Sequence, residues 1–232
     1  VNAILGLDTS TSELTVAVVG GGQVLAERES GPDPGGRPRH ATELLPAVEA
    51  ALRDAGGWDA VGRIAVGVGP GTFTGLRIGV ASARALAQAR GIPLTGVSSL
   101  AALAAGAHEA HGPAGFCLAV LDAKRGEAFA ALYDGAGAEL SPAWVGPPEE
   151  LAKRVAELGS APLAVGDGSV RFRDQLEAAG AVVPADDDPA HRLRARHLCR
   201  LASAAPDGER DVEPNYLRRP DAELWRERDH RS

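Results

Sequence analysis

Residues 61–68 and the segment after them constrain the fold more than any other part of this sequence. This strand-length run, charged only at Arg63, passes through Gly69-Pro70-Gly71 into a helix-patterned segment from Thr72 to about Arg90. A strand that feeds directly into a helix comes back to its sheet through a crossover, parallel to its neighbour. Residues 93–97 supply that neighbour, and another Ala-rich helix follows. Ahead of this unit lie three strand-like runs, 1–7, 14–19 and 23–29, the last two separated by Gly20-Gly21-Gly22. Their spacing leaves no room for crossover helices, so they form an antiparallel meander. Residues 30–39, with three Pro and three Gly, read as a loop. After it Ala41, Leu44, Leu45, Val48 and Leu52 recur at helical spacing up to Gly56-Gly57, and Pro46 predicts a kink or a late start. Three strands, helix, strand, helix, strand describes an α/β unit with a mixed sheet and flanking helices.

The second half repeats this order loosely. Residues 116–121 and 127–133 read as a hairpin around Lys124-Arg125-Gly126, residues 148–158 and 169–179 as helices, 162–165 as a strand and 191–204 as the last helix. A boundary is expected near residue 106, where Ala-Gly-Ala meets a His/Gly/Pro-rich loop holding His108 and His111. Two related lobes follow, an N-terminal lobe over 1–105 and, within 106–232, a smaller C-terminal lobe and a tail. Beyond Arg219 the chain is charged and lacks an apolar period, and disorder is expected there. With 232 residues the chain has enough length for one large domain or two small ones. With 4% aromatics and no Met, the core must come from Ala, Val, Leu and Ile, whose small side chains let elements approach closely.

Charge and cysteine usage exclude several function classes. A formal net charge of -7 disfavours autonomous nucleic-acid binding, which draws most of its affinity from phosphate neutralisation. Cys117 and Cys199 are far apart with no C-x-x-C spacing, and the first residues lack the basic start and apolar core of a signal peptide, so a reduced cytoplasm is expected. Residues 91–107, the longest uncharged stretch, fall short of the ~20 apolar residues of a membrane span. No membrane association is expected.

Three segments could carry chemistry or contacts. Asp8-Thr9-Ser10 at the first hairpin tip can hold a phosphate while the carboxylate orients a metal-bound water, or can simply satisfy its own turn. Gly69, Gly71 and Thr72 deliver a strand into a helix start, with Thr72 as the N-cap, where free N–H groups attract anions. No Walker loop exists, and Lys124 and Lys153 are the only lysines, so P-loop phosphoryl transfer is out. In the helix that follows, Gly75, Gly79, Ala83 and Ala87 recur every four residues. Such a stripe admits a second backbone at close range, from a partner helix or from this chain's own sheet, while Leu76 and Val80 form another apolar face. His108 and His111 have no completing ligands, so no metal site is expected. His40 opens a helix and reads as a cap or interface residue. The arginines at 192, 194, 196, 200, 218, 219, 226, 228 and 231 read as a solvated basic face.

Five blocks come in a recognisable order: Ile4-Leu5-Gly6-Leu7-Asp8-Thr9-Ser10, His40-Ala41-Thr42-Glu43-Leu44-Leu45-Pro46, the thirteen residues from Gly67 to Gly79, Asp122-Ala123-Lys124-Arg125-Gly126-Glu127, and Pro214-Asn215-Tyr216-Leu217-Arg218. Together they resemble the TsaB (YeaZ) family, the most specific being G-P-G-T-F-T-G-L-R-I-G. The resemblance implies an actin-like ATPase fold of two lobes. It also implies a cytoplasmic role in making N6-threonylcarbamoyladenosine at position 37 of tRNA, as the non-catalytic partner of the transferase TsaD, with the ATPase TsaE joining the pair. Ser99 and Leu103 then stand where TsaD carries two metal-binding histidines, so neither a metal nor a catalytic residue is expected here. Asp8-Thr9-Ser10 departs from the D-x-G pattern of actin-like ATPases. The candidate nucleotide site, Asp8, Thr9, Ser10, Gly69, Gly71 and Thr72, is thus expected to bind ATP or ADP weakly, with no cofactor required. The expected partner interface is His40, Leu44, Leu45, Val48, Gly75, Leu76, Gly79 and Ala83. It would bind TsaD or, without TsaD, a second copy of the chain; tRNA would be met only through the complex. Replacing Gly79 by Leu is expected to abolish the complex and leave the monomer folded. The competing readings are an actin-like kinase or hydrolase acting alone on Mg-ATP through Asp8 and the loop 69–72, and a self-contained homodimeric scaffold.

Overall fold

In the computed structural model, which describes residues 2–112, 115–205 and 212–218, the three opening runs form β1 (Ala3–Asp8), β2 (Leu14–Gly20) and β3 (Gln23–Ser30). Next come α1 (His40–Asp54), β4 (Val61–Gly69), α2 (Phe73–Arg90), β5 (Leu94–Ser98) and α3 (Ser99–His111). The sheet order is β3-β2-β1-β4-β5, antiparallel through the meander and parallel from β1 to β4 to β5. β2 is buried at every position and β1 at all but one, as central strands covered on both faces must be. The edge strand β3 carries the charges. α2 ends where Gly91 turns left-handed (φ 65°) and its N–H reaches the carbonyls of Ala87 and Gln88.

The second lobe repeats the plan with β6 (Cys117–Lys124), β7 (Glu127–Tyr133), β8 (Glu139–Gly146), α4 (Pro148–Glu157), β9 (Leu163–Val165), α5 (Asp167–Arg171) and α6 (Arg173–Ala178). Its order, β8-β7-β6-β9, is that of the first four strands of the other sheet. The fifth strand is reduced to one parallel bridge between Leu163 and Val182. After a 3-10 turn at Pro189–His191, α7 (Ala195–Ala204) closes the second unit.

The closing helices are exchanged between lobes. Leu100, Leu103, Ala104 and Ala107 of α3 pack on Ala119, Leu121, Phe129 and Ala131 of the second sheet. Ala195, Leu198, Cys199 and Ala202 of α7 pack on Ala17, Val19, Ala65 and Val97 of the first. The approach is close because β1 has Gly6 there: a Cβ would lie 2.6 Å from Cys199 Sγ and 2.7 Å from the Ala195 carbonyl oxygen. Each sheet's other face is covered by its own helices, α1 and α2 on the first, α4 to α6 on the second.

Several expectations are corrected. The boundary near residue 106 falls inside α3, and His108 and His111 sit in its last turns instead of a loop, since Gly106 meets His197 of α7 where a larger residue would crowd the crossing. α1 has no late start at Pro46; it runs continuously from His40. The helix expected over 169–179 is two short ones broken at Phe172, and the last begins at Ala195, not 191. β8 lacks a strand signature in the sequence because Pro142 sits within it, a residue that this edge strand tolerates. Nor do Arg194, Arg196 and Arg200 form a merely solvated face. Arg194 and Arg196, about one-fifth exposed, pair with Glu27 and Glu29 of β3 and with Glu109 of α3, and Arg200 also pairs with Glu109. Expectations for Arg219, Arg226, Arg228, Arg231 and the tail lie outside the described residues. Cys117 and Cys199 are buried and unpaired, and burial pushes each thiol up to about 12. Among the described residues no helix is long and apolar enough to cross a membrane.

Candidate functional site between the lobes

Strand β1 ends at Asp8, whose carboxylate is the centre of a buried knot. Oδ1 accepts from the Ser10 backbone N–H (2.6 Å) and the Ser10 hydroxyl (2.6 Å), and Oδ2 accepts from the Ser99 hydroxyl at the start of α3 (2.7 Å). Gly67 of β4 makes room: a Cβ there would lie 1.6 Å from Oδ2. Asp8 is 1% exposed. Burial raises its pKa above the usual carboxylate range, against the hydrogen bonds from Ser10 and Ser99 and the charge of His40. His40 is itself buried, its pKa lowered by that burial, and its Nε2 has no hydrogen-bond partner among the described residues. It is not a cap, since Arg39 holds the N-cap position.

The six candidate nucleotide-site residues do come together, but their polar groups face one another. The Thr9 hydroxyl donates to the Gly75 carbonyl (2.7 Å) and the Thr72 N–H to the Ser10 carbonyl (2.7 Å). At Gly71 a Cβ would lie 2.4 Å from that same Ser10 oxygen. Thr72 occupies the N-cap position of α2 without a side-chain capping bond. Hairpin tip and helix start thus close on each other, and neither Asp8 oxygen is left without a protein donor.

The small stripe serves this same closure. A Cβ on Gly75 would lie 2.0 Å from the Thr9 carbonyl oxygen, and one on Gly79 would lie 2.3 Å from Thr9 Oγ1. Ala83 and Ala87 join the first lobe's core with Leu7 and Val66. Gly75, Leu76, Gly79 and Ala83, with His40, Leu44 and Val48 of α1, are buried within this chain. As a partner surface these seven are therefore corrected, because their contacts are already made. Leu45, 52% exposed, is the one expected interface residue that faces outward. On α2 the exposed residues Phe73 and Arg77 stack, the guanidinium 4.9 Å over the ring.

Three of the sequence blocks meet at one cleft. Gly71, Thr72 and Phe73 face Asp122, Ala123, Lys124, Arg125 and Phe129 of the second lobe, with Tyr216, Leu217 and Arg218 along the third side, around about 210 Å³. Asp122 lies two residues before the end of β6. Its oxygens accept from the Lys124 N–H (2.8 Å), Lys124 Nζ (2.9 Å) and Arg171 Nη1 (3.2 Å). The Asp122 N–H donates to Asp167 Oδ1 (2.9 Å), and burial raises the Asp167 pKa. Lys124 and Arg125 both hold left-handed backbone (φ 62° and 57°), costly for side chains of their size. The block 122–127 carries no expected site in the sequence. Its signal was the turn K-R-G, in which three successive residues must turn left-handed.

Residues 28–158 match the family model described as TsaD: tRNA N6-adenosine threonylcarbamoyltransferase. The tRNA threonylcarbamoyladenosine biosynthesis protein TsaB of Escherichia coli (strain K12) is 33% identical over 188 residues, which cover 78% of this chain and 78% of that protein. The chain belongs to the TsaB family. TsaB of Bacillus subtilis (strain 168) is 35% identical over 131 residues, 56% of this chain and 54% of that one. YeaZ from Pseudomonas aeruginosa superposes with a TM-score of 0.77 at 30% identity, covering 94% of this chain and 100% of that one. A ROK hexokinase from Thermus thermophilus (TM-score 0.52, 16% identity, 87% and 99% covered) shares the fold, and the chain has the two-lobed fold of the actin-like ATPases. The tRNA N6-adenosine threonylcarbamoyltransferase of Sphingopyxis alaskensis matches 42% of this chain but 32% of its own length.

Proposed function

We propose that this TsaB-family chain acts in the cytoplasm, in the threonylcarbamoyladenosine modification of tRNA, as an accessory subunit of a TsaD-type transferase and not as a catalyst itself. The sealed carboxylate knot carries this reading: Asp8 spends both oxygens on Ser10 and Ser99, and Thr9 and Ser10 bind their own chain. Ser99 and Leu103, which the family resemblance sets at the transferase's histidine pair, are occupied with holding Asp8 and filling the second lobe's core. Any binding of ATP or ADP at the hairpin tip is then weak, because it must first break these bonds. With a charge of -7, the chain meets tRNA through its partner's surface.

The surface that fits the transferase is the outward side of α1 and α2, built on Leu45, Phe73 and Arg77. In the transferase's absence a second copy takes the same place, and a TsaE-type ATPase joins the assembled pair. Light scattering on a sizing column tests this, with the chain alone and then mixed with the TsaD-type protein of its own source. A dimer that exchanges into a one-to-one heterodimer is expected, lost in Leu45→Asp while the thermal melt is kept. No association under any nucleotide condition, together with ATP turnover by the chain alone that Asp8→Ala removes, would establish the enzyme reading instead.

A further inference from the structure

Residues 212–218 belong to neither sheet, yet they touch both lobes in succession. Val212 is 3% exposed within the first lobe's core, against Gly96 of β5, where a Cβ would lie 2.9 Å from Val212 Cγ1. The Asn215 N–H donates to the Val68 carbonyl (2.7 Å), and the Asn215 carbonyl passes over Gly69. Tyr216 then meets the first residue of α2, its ring centroid 5.1 Å from that of Phe73. Leu217 packs on the second lobe's core. Arg218 crosses to the β6–β7 hairpin, donating to the Ala123 carbonyl (3.0 Å) and pairing with Glu127.

We propose that residues 212–218 are a releasable strap, which clamps the two lobes across the cleft and, when it lets go, opens the cleft and uncovers the aromatic start of α2. The way it is held supports this. Among the described backbone bonds outside helices and strands the strap contributes one, from Asn215. Its remaining grip past Val212 is made by Tyr216, 41% exposed, and by the half-buried Leu217 and Arg218. A segment with one backbone bond, a single fully buried anchor at Val212 and otherwise partly exposed contacts opens at a small fraction of the cost of unfolding a lobe. The exchanged helices are held differently: Leu103 of α3 and Leu198 of α7 are fully buried and stay in place when the strap leaves. The lobes therefore keep a hinge at α3 and α7 while losing the clamp on the opposite side of the cleft. Because the strap's aromatic ring covers Phe73, a residue of the surface proposed above for the partner, strap release alters that surface as well as the cleft.

Spin labels on the full chain read the lobe separation. Gln88→Cys on α2 and Lys153→Cys on α4 are exposed and lie on different lobes, whereas Cys117 and Cys199 are buried with thiols pushed up to about 12 and do not compete for label. In Tyr216→Ala/Arg218→Ala the label-to-label distance distribution should lengthen and broaden. Amide exchange should rise about tenfold in both the 123–127 turn and the first turn of α2, with α7 unchanged. Tyr216→Phe, which keeps the ring, should match the parent. If the double variant does not fold, Glu127→Gln provides the same reading, with a smaller shift in the same direction. A distance distribution identical to the parent's in whichever of these variants folds, or faster exchange confined to the substituted residues, would overturn the strap.

Discussion

At the scale of single residues, the chain's family signature is a packing device around one carboxylate. Asp8 needs Gly67 beneath it and Ser99 beside it, and those two residues lie 59 and 91 positions further along the chain. Gly67→Ala would place a methyl group 1.6 Å from an oxygen that Ser99 holds in place, so the collision cannot be relieved by swinging a free side chain. A loss of about 2–3 kcal/mol is expected in urea unfolding. The raised pKa of Asp8 has its own signature. Between the unfolded value of 3.8 and the higher folded value the native state holds the extra proton, so this group's contribution to stability falls as pH rises through that window. Asn at this position can still accept from Ser10 and donate to the Ser99 hydroxyl, but it has no proton to lose. The stability of Asp8→Asn relative to the parent should therefore improve from pH 4.5 to pH 7.5, and a difference independent of pH would contradict the burial argument.

At the scale of elements, α2 shows what a sequence can and cannot disclose. Its limits and its four-residue stripe of small side chains were legible, because helical period and caps are local properties. The stripe's destination was not legible, because a close approach is the same requirement whether it comes from a partner or from the chain's own hairpin. The hairpin tip at Thr9 takes that space, so Gly79→Leu should cost more than about 3 kcal/mol and unfold or severely weaken the monomer, against the expectation of a folded, partnerless variant. Leu45→Asp, on the exposed face, should stay within about 0.5 kcal/mol of the parent. Chemical denaturation of the two variants separates a stripe that packs inward from one that waits for a partner. The same distinction explains the site as a whole. Residues 67–79, 122–127 and 214–218 were each recognisable in the sequence, but their meeting at one cleft depends on long-range packing that no local pattern records.

At the scale of the molecule, the exchange of α3 and α7 makes two look-alike lobes into one folding unit. The first sheet's inner face, with Ala17, Val19, Ala65 and Val97, has α7 from the far end of the chain as its cover, and without α7 this apolar face would meet water. A fragment ending at residue 112 should therefore not melt cooperatively, whatever the autonomy its complete five-strand sheet suggests. In the intact chain the coupling can be read directly, because Trp58 packs against the first lobe's core and Trp144 against the second's. With Trp225 and one of these two replaced by Phe, each remaining tryptophan reports its own lobe. Leu198→Ala removes a fully buried side chain from α7, which packs on the first sheet, and should cost about 2–5 kcal/mol. If the lobes were independent, the Trp58 midpoint in urea would fall and the Trp144 midpoint would stay. Exchange of the closing helices requires instead that both midpoints fall by the same amount, since neither sheet can keep its cover once the other lobe has opened.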